Sequence, residues 1–212
     1  MNTPVRSLPL LAALLLALAP GCFGGLGRTP PTKQRFMLAP ADPTPRDVGG
    51  ASVLRVARVR VSPVFENKGF VYRTGSSTFE SDFYNEFFSP PGVLLREVLL
   101  QWLGSTHLFV AVARGSSAEA DWVLETDVDQ LYADQRSPSA PTAHLDLAFR
   151  LVDARSRTLA FEKSYSASEP AAGSSPAALV DAWNRGLAAV LNQLTQDLAP
   201  RLAEPRTSVS SE

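Results

Sequence analysis

Three carboxylates at alternate positions, Glu125, Asp127 and Asp129 in "DWVLETDVDQLYAD", are the residues of this chain that most suggest a cation site. On a strand they would share one face. Residues two apart on a strand are separated by about 6.6–6.8 Å of rise, whereas calcium holds its oxygens at about 2.3–2.6 Å. Alternate strand positions therefore do not converge on one ion without loop ligands, and the spacing reads as a solvated face paired with Arg150 on a neighbouring strand. The two histidines, His107 and His144, have no sequence neighbour that would make either a ligand or a base. No H-E-x-x-H, G-x-S-x-G or glycine-rich phosphate loop is present. Tyr72 and Arg73 in "FVYR" likewise lack a nearby base, nucleophile or metal ligand. The expectation is a protein that is not an enzyme and uses no cofactor or metal.

Cys22, the only cysteine, is different. It ends the run "LPLLAALLLALAPGC", whose apolar stretch of about a dozen residues has signal-peptide length and is too short to span a bilayer. A cysteine after a small residue at the end of such a run resembles a bacterial lipobox, in which the thiol is acylated, palmitate being a typical chain, and becomes the mature N-terminus. A single unpaired thiol in an exported chain otherwise calls for explanation. Leu18 stands four residues before the cysteine, not the usual three, and Pro20 intrudes, so the sequence does not fix the cleavage site. Residues 1–21 are read as a lipoprotein signal peptide and Cys22 as the lipidation site. Phe23 follows, not the aspartate that retains many such lipoproteins in the inner membrane, and the expected location is the periplasmic face of the outer membrane.

Lys and Arg number 20 against 21 Asp and Glu, a balance with no electrostatic footprint for nucleic acid. No second apolar run has membrane-spanning length, no disulfide framework is available, and the remaining length suits one domain. Residues 22–50, rich in Gly, Pro and Thr, read as a tether, with the apolar island Arg35–Pro40 as a candidate edge strand. Residues 51–200 form the domain, and 201–212 a disordered tail.

Within the domain, "ASVLRVARVRVSP" (Ala51–Pro63) is Val-rich and strand-forming, with Val53, Ala57, Val59 and Val61 expected to share a face with Arg55. Two short strands should flank the turn Thr74–Ser77. Ser89 is expected to cap a helix begun by Pro90, with Leu94, Leu95, Val98, Leu99, Trp102 and Leu103 on one stripe and Gly104 ending it. Further strands are read in Leu108–Ala113 and Asp121–Asp134, the latter with Trp122, Leu124, Thr126 and Val128 on one face. A hairpin turning near Ala154–Arg157 should set Leu145, Leu147, Phe149 and Leu151 toward the core, and His144, Asp146 and Arg150 toward water. A last helix, capped by Ser175 and stopped by Pro200, carries Leu179, Trp183, Leu187, Val190, Leu191, Leu194 and Leu198 on one stripe. Both helical tryptophans are read as core. The expected class is α+β: a mostly antiparallel sheet with two amphipathic helices packed on one face.

The stretch "FVYRTGSSTFESDFYNEFFSPP" (Phe70–Pro91) concentrates five Phe and two Tyr. On a strand, Phe70 and Tyr72 face opposite to Val71 and Arg73, so half of these aromatics can enter the core. The rest are either packed under the first helix or exposed as an interface, and the sequence leaves both open.

Several segments resemble the ABC-type transport auxiliary lipoprotein family, of the paraquat-inducible protein C type. They are Phe36-Met37-Leu38, "VLRVARVRVSP", Tyr72-Arg73, Tyr84-Asn85-Glu86-Phe87 before Ser89-Pro90-Pro91, and the leucine-rich helix that follows. The resemblance runs from about Phe36 to Leu198; Phe87 stands where many members carry Trp. It implies a non-catalytic periplasmic lipoprotein that accompanies ABC transporter components and a mammalian-cell-entry domain protein in moving lipids between membranes. Tyr72, Arg73, Tyr84 and Asn85 are then candidate partner-binding residues, and homo-oligomer formation is left open. A periplasmic lipid-binding carrier and an outer-membrane assembly accessory lipoprotein remain as alternatives.

Replacing Cys22 with Ser should release the protein from outer-membrane vesicles into the soluble periplasmic fraction. A variant that still floats with the vesicles would show that another element holds it there.

Overall fold

The computed structural model describes residues 32–43, 50–115 and 119–203; the signal peptide and Cys22 lie outside the described residues. Nine strands form one sheet: β1 (Gln34–Phe36), β2 (Val53–Val56), β3 (Arg60–Val61), β4 (Gly69–Arg73), β5 (Phe79–Phe87), β6 (Ala111–Ala113), β7 (Trp122–Asp134), β8 (Thr142–Asp153) and β9 (Leu159–Pro170). Helix α1 (Pro91–Ser105) follows β5, and helix α2 (Pro176–Ala203) closes the described chain.

The long central strand is β7. One of its edges carries β8, which pairs with β9 to make an antiparallel unit. Along the other edge lie β2, β3 and β4 in succession, each parallel to it. Beyond β2 sits β6, and beyond β4 come β5 and then β1 at the outer edge.

The α+β class holds, but the sheet is mixed, not mostly antiparallel. Pairings β1–β5, β2–β6, β2–β7, β3–β7 and β4–β7 are parallel; only β4–β5, β7–β8 and β8–β9 are antiparallel. Hairpins announce themselves by a turn between neighbouring runs. Parallel partners such as Arg60 and Asp127 lie 67 residues apart and leave no such mark.

Alternation places the core. Trp122, Leu124, Thr126 and Val128 of β7 are buried, as are Leu145, Leu147, Phe149 and Leu151 of β8. A bulge falls between Val128 and Gln130, with two residues of β7 opposing one of β8. It reverses the parity, so that Leu131 and Ala133 point inward and Asp129 is exposed.

Helix α1 packs over β2, β3 and β6, and α2 over β8 and β9. Their apolar stripes are buried at every expected position. The helices are joined by Trp102 Nε1, which donates to Thr195 Oγ1 at 3.1 Å, while that hydroxyl donates to Leu191 O at 2.7 Å. A buried indole N–H needs such an acceptor. Trp183 is buried against Phe70 and Phe87 and donates to His144 O.

Several boundaries differ from expectation. Ala51–Pro63 is not one strand: β2 and β3 are separated by Ala57–Val59, and Leu54, Val56 and Val59 are the buried positions. Pro90 caps α1 with Pro91 inside its first turn, so Ser89 provides no side-chain cap. Gly104 stays helical; the chain turns instead after Thr106, whose hydroxyl donates to Leu103 O, and His107 takes the left-handed conformation at φ 59°. Ser175 does cap α2, accepting the Ala178 N–H, but Pro200 lies inside the helix, which continues to Ala203. The helix thus takes in the first residues of the stretch read as a tail. The apolar island does supply an edge strand, β1, and Leu38 just after it is buried.

Gly50 abuts the turn after α1. Its N–H donates to His107 O at 3.1 Å, and a Cβ there would sit 2.2 Å from Leu108 O. Gly50→Ala should therefore destabilise by at least the 1–3 kcal/mol or so typical of overpacking. Gly104→Ala, with open space at the added carbon, should stabilise by about 0.5–1 kcal/mol. Urea unfolding reads both; an unchanged midpoint for the Gly50 variant would refute the close approach.

Candidate functional site

The β4–β5 hairpin is regular at its tip and irregular at its base. Val71 pairs with Ser81 but Gly69 pairs with Glu86, so two steps on β4 oppose five on β5. Asp82–Asn85 therefore bulge out of the ladder. Gly69 permits this, because a Cβ at that position would lie 2.7 Å from the Asp82 carbonyl oxygen.

The Asp82 carboxylate organises the bulge from within. Its Oδ1 accepts the Tyr84 N–H at 2.7 Å and the Asn85 N–H at 3.0 Å; its Oδ2 accepts the Tyr72 hydroxyl at 2.8 Å and Asn85 Nδ2 at 2.7 Å. Burial pushes this carboxyl upward, but the four donors outweigh it and hold the group below the usual carboxylate range. Burial first, and then the bond to Asp82, push the Tyr72 phenol well above its ordinary value. The proton stays on the tyrosine and the charge on the aspartate.

At the apex, Phe83 and Tyr84 project into solvent, 68% and 43% exposed. Their rings meet edge to face at 5.2 Å, and Lys33 Nζ lies 4.5 Å over the Phe83 ring. Lys33 and Arg35 both bond Glu86, fixing β1 to β5 by side chains as well as by the ladder.

Arg73 lies on the other face of the sheet, at the hairpin tip. Its guanidinium donates to Ser76 O at 2.9 Å and Gly75 O at 3.3 Å, and stands 5.9 Å from the Phe79 ring. Phe79 is 42% exposed and touches Phe65 and Tyr132, which itself stacks on His144. The aromatic-rich stretch Phe70–Pro91 is thus divided. Phe70 and Phe87 are core, Phe79 lies on the face opposite the helices, and Phe83 and Tyr84 are at the bulge apex.

The four candidate partner residues are divided as well. Tyr72 and Asn85 are held by Asp82, Tyr84 is at the apex, and Arg73 is on the opposite face. The sequence reading missed Asp82. Its signal was an Asp whose carboxylate can accept the N–H two residues on, a local turn device.

The carboxylate row on β7 is filled by guanidinium groups. Asp127 accepts from Arg60 at 2.6 and 2.9 Å and from Arg150 at 2.7 Å, and Glu125 accepts from Arg150 at 3.3 Å. The bond from Arg60 above all holds the Asp127 carboxyl below its ordinary range. The expected pairing with Arg150 is present, while Asp129 leaves the row at the bulge. Among the described residues, no three His, Cys, Asp or Glu are grouped to hold a metal ion. No helix among them is long and apolar enough to cross a membrane.

Asp82 carries a depressed folded-state pKa, so its contribution to stability is present above the unfolded value of about 3.9 and is lost as pH falls through the folded one. Asp82→Asn should cost about 1–3 kcal/mol at pH 7, the range for leaving buried donors poorly matched. The gap from the parent should narrow on acidification below about pH 4, where the parent protonates too. Equal stability at pH 7, or a gap indifferent to pH, would refute the assignment.

The fold is shared with solved structures. One, of a protein from Xanthomonas campestris, superposes with a TM-score of 0.70 at 18% identity, covering 79% of this chain and 96% of that one. A second, of an uncharacterized protein, gives 0.60 at 18% identity, covering 81% and 99%. No curated protein matches the sequence significantly. The model of the ABC-type transport auxiliary lipoprotein component matches residues 36–195, from β1 well into α2, and the chain belongs to that family.

Proposed function

We propose that the protein is a lipoprotein anchored through Cys22 at the periplasmic face of the outer membrane. There it serves as a non-catalytic auxiliary component of an ABC transporter working with a mammalian-cell-entry domain protein in intermembrane lipid transport. The observation that carries this reading is the family match over residues 36–195.

The packing supports action through protein contacts in preference to lipid carriage. The layer between sheet and helices is filled by large side chains, among them Phe70, Trp102, Phe149 and Trp183, and the two helices are hydrogen-bonded across it. An acyl chain would have to displace them.

The contact with the protein partner falls on the face opposite the helices, around Arg73 and Phe79. Phe79 is exposed beside the Arg73 guanidinium, and aromatic and arginine side chains are both enriched at protein interfaces. In the bulge, Tyr72 and Asn85 act at one remove, by holding Asp82.

Arg73→Glu should leave the stability of the domain within about 1 kcal/mol of the parent, since it removes solvent-side bonds to turn carbonyls. Capture of the mammalian-cell-entry partner should weaken at least about tenfold, the equivalent of about 1.4 kcal/mol. Parental capture by a folded variant would remove Arg73 from the interface.

A further inference from the structure

The apex of the β5 bulge is exposed, apolar and rigidly held. Phe83 and Tyr84 form it, and Lys33 lies across the Phe83 ring. Lys33 is also where the chain leaves β1 toward Cys22, so the apex marks the point at which the tether joins the sheet. Lys33 lies eleven Cα steps beyond Cys22. Fully extended, they reach at most about 40 Å. An acylated Cys22 therefore confines this corner of the sheet to the neighbourhood of the bilayer.

The local charge matches such a surface. Between Cys22 and Asp42 the chain carries Arg28, Lys33 and Arg35 and no acidic residue. Glu86 pairs with Lys33 and Arg35 together, and the other carboxylate at the bulge, Asp82, is occupied by four donors of its own hairpin. Aromatic rings beside a cation suit the boundary of a membrane, where the ring enters the headgroup layer and the charge stays with lipid phosphates.

We infer that Phe83 and Tyr84 dock on the lipid surface to which Cys22 anchors the chain, giving the domain a second, non-covalent membrane contact and hence a fixed orientation. The inference rests on the acylation of Cys22. The four bonds to Asp82 fix the backbone of the bulge from which these two aromatic side chains are presented.

The test uses the acylated protein in vesicles of phosphatidylethanolamine and phosphatidylglycerol containing lipid brominated on its acyl chains. The native tryptophans, Trp102, Trp122 and Trp183, are all buried and provide a constant background. Phe83→Trp should add emission that the bromines quench, and Tyr84→Trp serves the same purpose should the first variant misfold. Val110→Trp is the control, because Val110 is exposed beside β6, at the opposite end of the strand order from β1. It should escape quenching. Vesicle-bound protein in which neither apex probe is quenched more than the Val110 probe overturns the docking and leaves the anchor standing. Protein that fails to float with the vesicles overturns the anchor, and the docking falls with it. An apex probe shielded in lipid-free solution by the mammalian-cell-entry partner, and unquenched on vesicles, assigns the apex to protein and refutes the inference.

Discussion

One strand has to satisfy two edges over thirteen residues, and most of the architecture follows from how it does so. A buried N–H or C=O without a partner costs as much as a lost hydrogen bond, so the full length of β7 must be covered on both sides. On one side a single strand suffices, because β8 is nearly as long and arrives through a hairpin. No comparable strand exists on the other side. The chain covers that edge with three short parallel pieces laid end to end, and the gaps are closed by isolated bonds such as Ala57 N–H to Leu124 O and Ser62 N–H to Val128 O. The breaks between β2, β3 and β4 leave room for the loops that carry Phe65 to the opposite face. The β4–β5 hairpin, and with it the bulge, is positioned by the last of these three pieces.

What the sequence disclosed followed the range of the interactions involved. Amphipathic stripes are local, so both helices and their buried positions were legible down to Trp102 and Trp183. The β8–β9 hairpin was legible for the same reason, its turn closing at Arg157, which adopts a left-handed conformation. Parallel pairing was not, since nothing near Arg60 indicates that its partner is Asp127. Arg55 falling on the same face as Val53, Ala57, Val59 and Val61 was the mark of a broken strand in Ala51–Pro63. Likewise the three-residue step from Val128 to Leu131 marks the bulge that sends Asp129 to solvent. In the site, the aromatic content of Phe70–Pro91 was plain, but its division among core, open face and apex depended on a register shift that no pattern of hydrophobicity records.

The bulge shows how a polar group can set an apolar surface. Phe83 and Tyr84 touch each other and Lys33 but stand outside the core, and the backbone that presents them is held by a carboxylate beneath them. Because Asp82 must be charged and Tyr72 must keep its proton, the arrangement is matched to conditions between the titration ranges of carboxyl and phenol. The periplasm lies within them.

The parallel pairing of β1 with β5 has a mechanical consequence. With the chain anchored through Cys22 as proposed, tension between membrane and domain reaches the sheet at Lys33. Pulled along its own axis, β1 loads its ladder bonds to β5 and the Lys33 and Arg35 bonds to Glu86 together, in shear, whereas a strand pulled sideways would open them one at a time. The next residues add resistance: Leu38 is sunk in the core and the Ala39 N–H is bonded to Asn184 of α2. Three residues of edge strand thus couple the tether to both layers of the domain, and a tug on the anchor is spread across the sheet before it can peel anything away.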